Sequence, residues 1–219
     1  MYTINELLKG AGRLIVIIDP RNNENFYYAL TGVIIPRPIA FISTVSESGD
    51  LNLAPFSFFN AIASNPPTVA ISIARNTPSK PKDTLANIEA TGEFVINIVV
   101  ESIAEAMNST AAEYPGDTDE FKIAGLTPAS STMIKPPRVL ESPVNLECRL
   151  TQIITIGQGE TESGLVLAEV IAMHLDDAVI TDNRVDPRKL KAVGRLGGSE
   201  YSHTEGIFTL VRPTYQPKT

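Results

Sequence analysis

Between Pro36 and Thr84 the chain reads PRPIAFISTVSESGDLNLAPFSFFNAIASNPPTVAISIARNTPSKPKDT, and no other stretch restricts the fold as much. Two alternating apolar segments, Pro38–Ser46 and Leu51–Phe59, flank the turn residues Glu47-Ser48-Gly49-Asp50, which is the pattern of a β-hairpin. The Pro66-Pro67 breaker then opens a further strand over Thr68–Ala74. Phe94–Val100 is β-branched and almost continuously apolar, as expected of a strand buried on both faces. Val144–Ile156 and Leu165–Leu175 flank Gly157-Gln158-Gly159-Glu160, a second hairpin loop. In the last strand Val166, Ala168, Val170, Ala172 and His174 share one face, and Leu165, Leu167, Glu169, Ile171 and Met173 share the other. Gly and Pro mark most junctions, which suits a Greek-key barrel with short turns. The fold class expected is therefore mainly β with a few short helices.

Three helical pieces are expected. Ser102-Ile103-Ala104-Glu105 has the form of a capping box, with its helix running to about Tyr114. A shorter helix starts near Asp83 or Thr84 and stops at Gly92, a suitable residue to follow a C-cap. Pro187 to Val193 has room for another turn or two. No linker or repeat divides the 219 residues, so one domain over 1–219 is expected.

Charge and cysteine usage exclude several classes. At a net charge of −7 the chain lacks the clustered cations that a nucleic-acid backbone binder needs. The single Cys148 rules out an internal disulfide framework and fits a reducing cytoplasm. No run approaches the roughly 20 apolar residues of a membrane span. Leu14–Ile18 follows Lys9 and Arg13 but is too short for a secretory core of about 7–15 residues. It reads as a packed N-terminal segment. Asn108-Ser109-Thr110 is a sequon by pattern only.

From Val33 to Lys82 four cations, Arg37, Arg75, Lys80 and Lys82, outnumber Glu47 and Asp50. A local positive excess inside an acidic chain suits a small phosphorylated ligand. Lys82-Asp83-Thr84 is its best anchor, because a helix start presents unpaired amides and a positive dipole end beside the lysine. The same residues also read as a plain helix cap by Asp83 with Lys82 solvated. Arg75 could reach a phosphate bidentately or be an ordinary loop arginine, and Arg37, held extended between two prolines, could serve the same end. Ser43 and Thr44 on one strand, with Ser57, Phe58 and Asn60 on the return, could hold a ligand's polar edge or form a solvated face. Ala54-Pro55 interrupts the donor pattern, since proline has no N–H. Of Phe56, Phe58 and Phe59 at least one is expected in the core.

Arg195 to His203 forms a loop with Tyr201 and His203 as weak catalytic candidates. It contains no G-x-G-x-x-G fingerprint. His174, near Asp176 and Asp177, and the distant His203 make a poor metal set with one cysteine, so no metal is expected. Cys148 reads as a small buried hydrophobe. No Ser-His-Asp arrangement stands out.

Several pieces together resemble the flavin reductase-like family of FMN-binding split β-barrels. They are Pro36-Arg37-Pro38-Ile39-Ala40, Ser43-Thr44, Asn52 to Asn60, Pro66-Pro67, Lys82-Asp83-Thr84, Thr91 to Val95, Asp119-Glu120-Phe121, Ala124-Gly125-Leu126, Pro137-Arg138-Val139, Glu141-Ser142-Pro143 and Arg195 to Gly198 with Tyr201. The resemblance runs in order from about Tyr27 to Tyr201. It implies FMN as cofactor, a homodimer, and flavin reductase chemistry with NAD(P)H as hydride donor. It leaves open a flavoredoxin-like electron carrier with a redox partner protein, and a non-enzymatic ligand-binding barrel. The FMN contacts it implies are Arg37, Ser43, Thr44, Ala54, Pro55, Phe56, Ser57, Phe58, Asn60, Arg75, Lys82, Asp83 and Thr84. The Arg195–His203 loop would lie near the ring and shape access for nicotinamide.

Overall fold

The structure is a computed structural model that describes residues 6–10, 13–22, 25–77, 80–116, 118–159 and 162–215. A hairpin of β1 (Glu6–Gly10) and β2 (Arg13–Ile17) precedes α1 (Phe26–Val33). Then come β3 (Arg37–Pro38), β4 (Ala40–Val45), β5 (Leu51–Phe56), β6 (Phe59–Ser64), β7 (Pro67–Thr77) and β8 (Lys80–Pro81). After α2 (Asp83–Thr91) and β9 (Glu93–Ile98) the chain turns through α3 (Ala104–Ser109), α4 (Glu120–Ala124), β10 (Pro128–Ala129) and β11 (Arg138–Val139). The long pair β12 (Val144–Ile156) and β13 (Ser163–Leu175) follows. The chain then passes through β14 (Ile180–Thr181), β15 (Arg184–Val185), α5 (Pro187–Leu190), β16 (Val193–Arg195) and β17 (Tyr201–His203).

The main sheet runs β5-β4-β9-β12-β13-β7-β6, with β8 beside β7, and every pair is antiparallel. Its two end strands, β5 and β6, are separated in sequence only by Ser57 and Phe58. So short a link forces opposite ends of the sheet together and curls it into a barrel. The ends meet without a ladder between β5 and β6, which makes the barrel split. The amide of Ser72 donates to the Phe58 carbonyl at 2.9 Å beside this seam.

Strand alternation then divides the core in two. Ala40, Ile42, Phe94, Ile96, Cys148, Val166 and Ala168 point into the barrel, where Leu85 and Ile88 of α2 join them. Phe41 and Leu53 point outward against Val99, Ile103, Met107, Phe121 and Val139. β9 is therefore buried on both faces, as its composition predicts. Its one buried amide, Asn97, is satisfied: it donates to the Phe41 carbonyl at 3.0 Å and accepts from the Val139 amide at 2.8 Å. The β12–β13 pair forms as read, and β4 pairs with β5, but the return strand stops at Phe56 and not at Phe59, which instead opens β6 beside β7.

Local chemistry explains where elements stop. α2 ends at Thr91 because Gly92 takes a left-handed φ of 70°. Lys82 occupies its N-cap and no side chain caps it, so Asp83 lies in the first turn and does not serve as the cap expected. The capping box at Ser102 and Glu105 does not form either. A 3-10 turn covers Glu101–Ile103, and α3 stops at Ser109, five residues short of Tyr114. There the Ser109 and Thr110 hydroxyls turn back to the carbonyls of Ala106 and Met107, competing with further helix. Leu14 to Ile17 lie on the hairpin strand β2, and Val16 and Ile17 are exposed there where a packed segment is expected. No helix among the described residues is long and apolar enough to cross a membrane.

Candidate functional site

A groove lies along the outer side of β5, made of two hollows that share Pro55, Phe56 and Ala111. The larger, of about 350 Å³, is walled by Tyr27, Tyr28 and Thr31 of α1, by Ser57, Arg37 and Met107, and by Arg195, Leu196, Gly198 and Tyr201. The smaller, of about 130 Å³, is walled by Asn52, Ala54, Lys82, Asp83, Thr110, Glu113, Tyr114 and Glu120.

β5 can flank a groove because it is an end strand. The amide of Leu53 points away from β4 and donates to Glu120 Oε2 at 3.0 Å. Pro55, two residues on, faces the same open side, so its missing N–H removes nothing from the ladder. The strand therefore runs through Ala54-Pro55 unbroken, with Pro55 opposite Phe41, instead of breaking there.

Arg37 fixes the walls of the larger hollow. It is only 7% exposed. Its Nη1 donates to the carbonyls of Thr31 at 2.5 Å and Ile34 at 2.8 Å, and Nη2 donates to the Leu196 carbonyl at 2.8 Å. One guanidinium thus ties the C-terminal end of α1 to the loop after β16. Nε reaches Ser57 Oγ at 3.5 Å, and the guanidinium carbon lies 6.0 Å from the Phe58 ring centre. Gly194 lets the two strands meet, since a Cβ there would sit 2.8 Å from Cβ of Pro36. Across the hollow the Arg195 guanidinium stacks over Tyr201 at 4.5 Å and donates to its hydroxyl and to the Gly198 carbonyl. The Tyr201 hydroxyl in turn donates to Asn108 Oδ1 at 3.0 Å.

The smaller hollow holds the start of α2, whose first amides have no carbonyl partner within the helix. Among the described residues Lys82 is its only lining cation, against Asp83, Glu113 and Glu120. Burial pushes the Glu120 carboxyl upward in pKa, and the Leu53 amide only partly offsets that. Beneath, Asn52 donates to Thr44 at 3.0 Å and to Thr84 at 2.9 Å, while Asn87 also donates to Thr44 at 3.0 Å.

The structure brings together Arg37, Ala54, Pro55, Phe56, Ser57, Lys82, Asp83 and Tyr201 along this groove. It places other expected contacts elsewhere. Arg75 does not reach the groove: it is held by Glu89 at 2.6 Å and lies 3.7 Å from Glu162. Ser43 is fully buried and donates to the Pro137 carbonyl at 2.5 Å. Thr44 and Thr84 are buried in the amide network below the hollow and line neither part of the groove. Asn60 is exposed on β6, and Phe58 packs beside Tyr27 and Arg37 without lining the hollow. Ser43 is covered by the segment that carries Pro137, and Asn60 lies on β6 at the far end of the sheet from β5. His203 bonds Glu101 at 3.0 Å and borders a separate hollow with Pro36 and Val193. Cys148 is buried, and burial pushes its thiol well up in pKa.

Sequence reasoning missed Tyr27, Tyr28, Met107 and Glu120 as walls. Adjacent tyrosines before the first proline cluster are an available signal for the first two. Met107 carries none, since it reads as an ordinary core residue of a helix.

Comparison with known proteins places this split antiparallel barrel, with its groove along a free edge, among flavin-related proteins. Residues 32–187 match the model of the flavin reductase like domain. The uncharacterized protein YwrF of Bacillus subtilis is 38% identical over 200 residues, covering 90% of this chain and 97% of YwrF. Among solved structures, nitrilotriacetate monooxygenase component B from Bacillus cereus is 36% identical with a TM-score of 0.86, covering 90% of this chain and 98% of that one. The 2-nitrobenzoate 2-nitroreductase NbaA of Pseudomonas fluorescens is 32% identical with a TM-score of 0.82, covering 93% and 99%. The chain belongs to the flavin reductase-like family. Its functional class is that of a flavin-related oxidoreductase.

Proposed function

We propose that this protein is an FMN-dependent oxidoreductase that takes electrons from NAD(P)H. The observation that carries this reading is the continuous groove on the open edge of β5, with a lysine and a helix start at one end and aromatic side chains at the other. A flavin mononucleotide has the matching polarity, a phosphate joined by a polar chain to a planar ring. Lys82 and the first amides of α2 would take the phosphate. Tyr27, Phe56 and Tyr201 would border the ring, held by Arg37 and Arg195. Bound FMN supplies the hydride and electron chemistry, and the protein supplies binding, orientation and exclusion of water. In that division the protein need supply no nucleophile of its own.

The fit has one cost. Three carboxylates surround Lys82, so phosphate affinity would come from the helix amides and the lysine against their repulsion. Fluorescence titration with FMN and riboflavin tests the reading. Tighter binding of FMN is expected, and equal affinity would remove the phosphate site. Steady-state NADH and NADPH oxidation with added flavin then tests the enzyme, and no turnover would leave an electron carrier.

Supporting a homodimer, apolar side chains stand exposed on α1 and beyond it, including Leu30, Val33, Ile34 and Ile35. Burial of such a patch favours association. Sedimentation equilibrium should give twice the chain mass of 23.6 kDa. A monomer that binds FMN tightly would refute a dimer-dependent site.

A further inference from the structure

We infer that the Arg37–Arg195 end of the groove takes the carboxylate of a planar aromatic acid, bound alongside the flavin. The inference rests on the flavin reading of the groove and adds to it the chemical class of the second ligand.

The argument begins with an unbalanced charge. Arg37 is a cation that is more than nine-tenths buried, and the partners it bonds are neutral carbonyls and a hydroxyl. Among the described residues no carboxylate forms an ion pair with Arg37 or Arg195, whereas Arg21 has one such partner and Arg75 has two. Burying a cation without an anion is costly even when its N–H groups are satisfied. An anion entering the hollow would recover part of that cost.

The walls decide what kind of anion. Among the described residues no carboxylate lines the larger hollow, and Tyr27, Phe56 and Tyr201 give it flat aromatic sides. Arg195 is held flat on the Tyr201 ring, with one N–H of each terminal nitrogen spent on Tyr201 and Gly198. Its Nε and remaining hydrogens are left to meet a carboxylate, the partner for which a planar guanidinium is shaped. At the other end of the groove Asp83, Glu113 and Glu120 outnumber Lys82, so an acid is repelled there. The charge gradient along the groove therefore orients an acid with its carboxylate toward the arginines.

Calorimetric titration of the FMN-loaded protein with benzoate and with benzamide, its neutral counterpart, tests the proposal. Benzoate should bind at least about tenfold tighter, the scale of one charge-assisted pair. Arg195→Leu should abolish that preference, and Arg195→Lys, which keeps the charge, should retain part of it. Equal binding of the two probes to wild type overturns the proposal, as does release of FMN by benzoate. Loss of the preference for FMN over riboflavin in Arg195→Leu also overturns it, because the guanidinium would then serve the flavin phosphate. A wild-type protein that binds neither flavin defeats the flavin reading instead. Benzoate and benzamide titrated into that flavin-free protein would still decide the anion site.

Discussion

Replacing Arg37 by methionine keeps most of the side chain's length and removes its charge and donors. Three carbonyls, those of Thr31, Ile34 and Leu196, then lose their donor at distances of 2.5, 2.8 and 2.8 Å. Hydrogen bonds from a charged donor contribute about 1.5–3 kcal/mol each, so the gross loss is about 4–9 kcal/mol. Against it stands relief of the desolvation penalty for a buried cation, which is several kcal/mol. The net expectation is about 2–4 kcal/mol of destabilisation. In a chain of this size each kcal/mol moves the melting temperature by about 2–4 °C, so a fall of about 5–15 °C should be seen calorimetrically. Arg37→Lys should recover little, because an ammonium cannot span three carbonyls in one plane. The site should respond too. With α1 and the Leu196 loop untied, FMN and riboflavin should weaken by the same factor, since Arg37 lies at the end of the groove away from Lys82. A melting temperature within about 1 °C of wild type would refute the clamp, because at this chain size it corresponds to well under 1 kcal/mol. Weakening of FMN alone would mean that the phosphate sits at Arg37.

Lys82→Ala should weaken FMN about 10- to 150-fold, the value of one charge-assisted contact, and leave riboflavin nearly unchanged in a fluorescence titration. A large drop in stability without flavin would instead make Lys82 a structural cap. Glu147 is fully buried, and although burial pushes its carboxyl up, bonds from the Thr132 amide, His174, the Met133 amide and the Thr132 hydroxyl bring it down to about 2. Because the folded value lies below the ordinary 4.5, its stabilisation is complete above about pH 4.5 and is lost as pH falls through about 2. The shift is worth roughly 3 kcal/mol; urea unfolding across that range should show the loss in wild type and a flatter limb in Glu147→Gln. Tyr201→Ala should slow stopped-flow reduction of bound FMN by NADH more than His203→Ala does, because Tyr201 lines the groove and His203 faces Glu101. Equal effects would remove the Tyr201 wall from the mechanism.

Much of this protein was determined by the chain itself. Alternation from Pro38 to Phe59 and from Val144 to Leu175 sets the hairpins, because side-chain period two is a local property of extended backbone. Gly92 ends α2 for an equally local reason, its freedom to adopt a left-handed φ. Lys82 at a helix start is likewise readable, since the start depends on neighbours in sequence. What the tertiary structure decided was which polar groups face the groove. Ser43 and Thr44 are adjacent and similar, yet one bonds the Pro137 carbonyl and the other two asparagine amides, both beneath the surface. Arg75 sits on the barrel beside two carboxylates, Glu89 on the following helix and Glu162, 87 positions on. Arg37 reads as a candidate phosphate contact, but in the fold it bonds the carbonyls of Thr31 and Ile34, near it in sequence, and that of Leu196, 159 positions away. A charge's partner can lie as far away in sequence as Leu196 does from Arg37, and only the tertiary fold fixes such a distance.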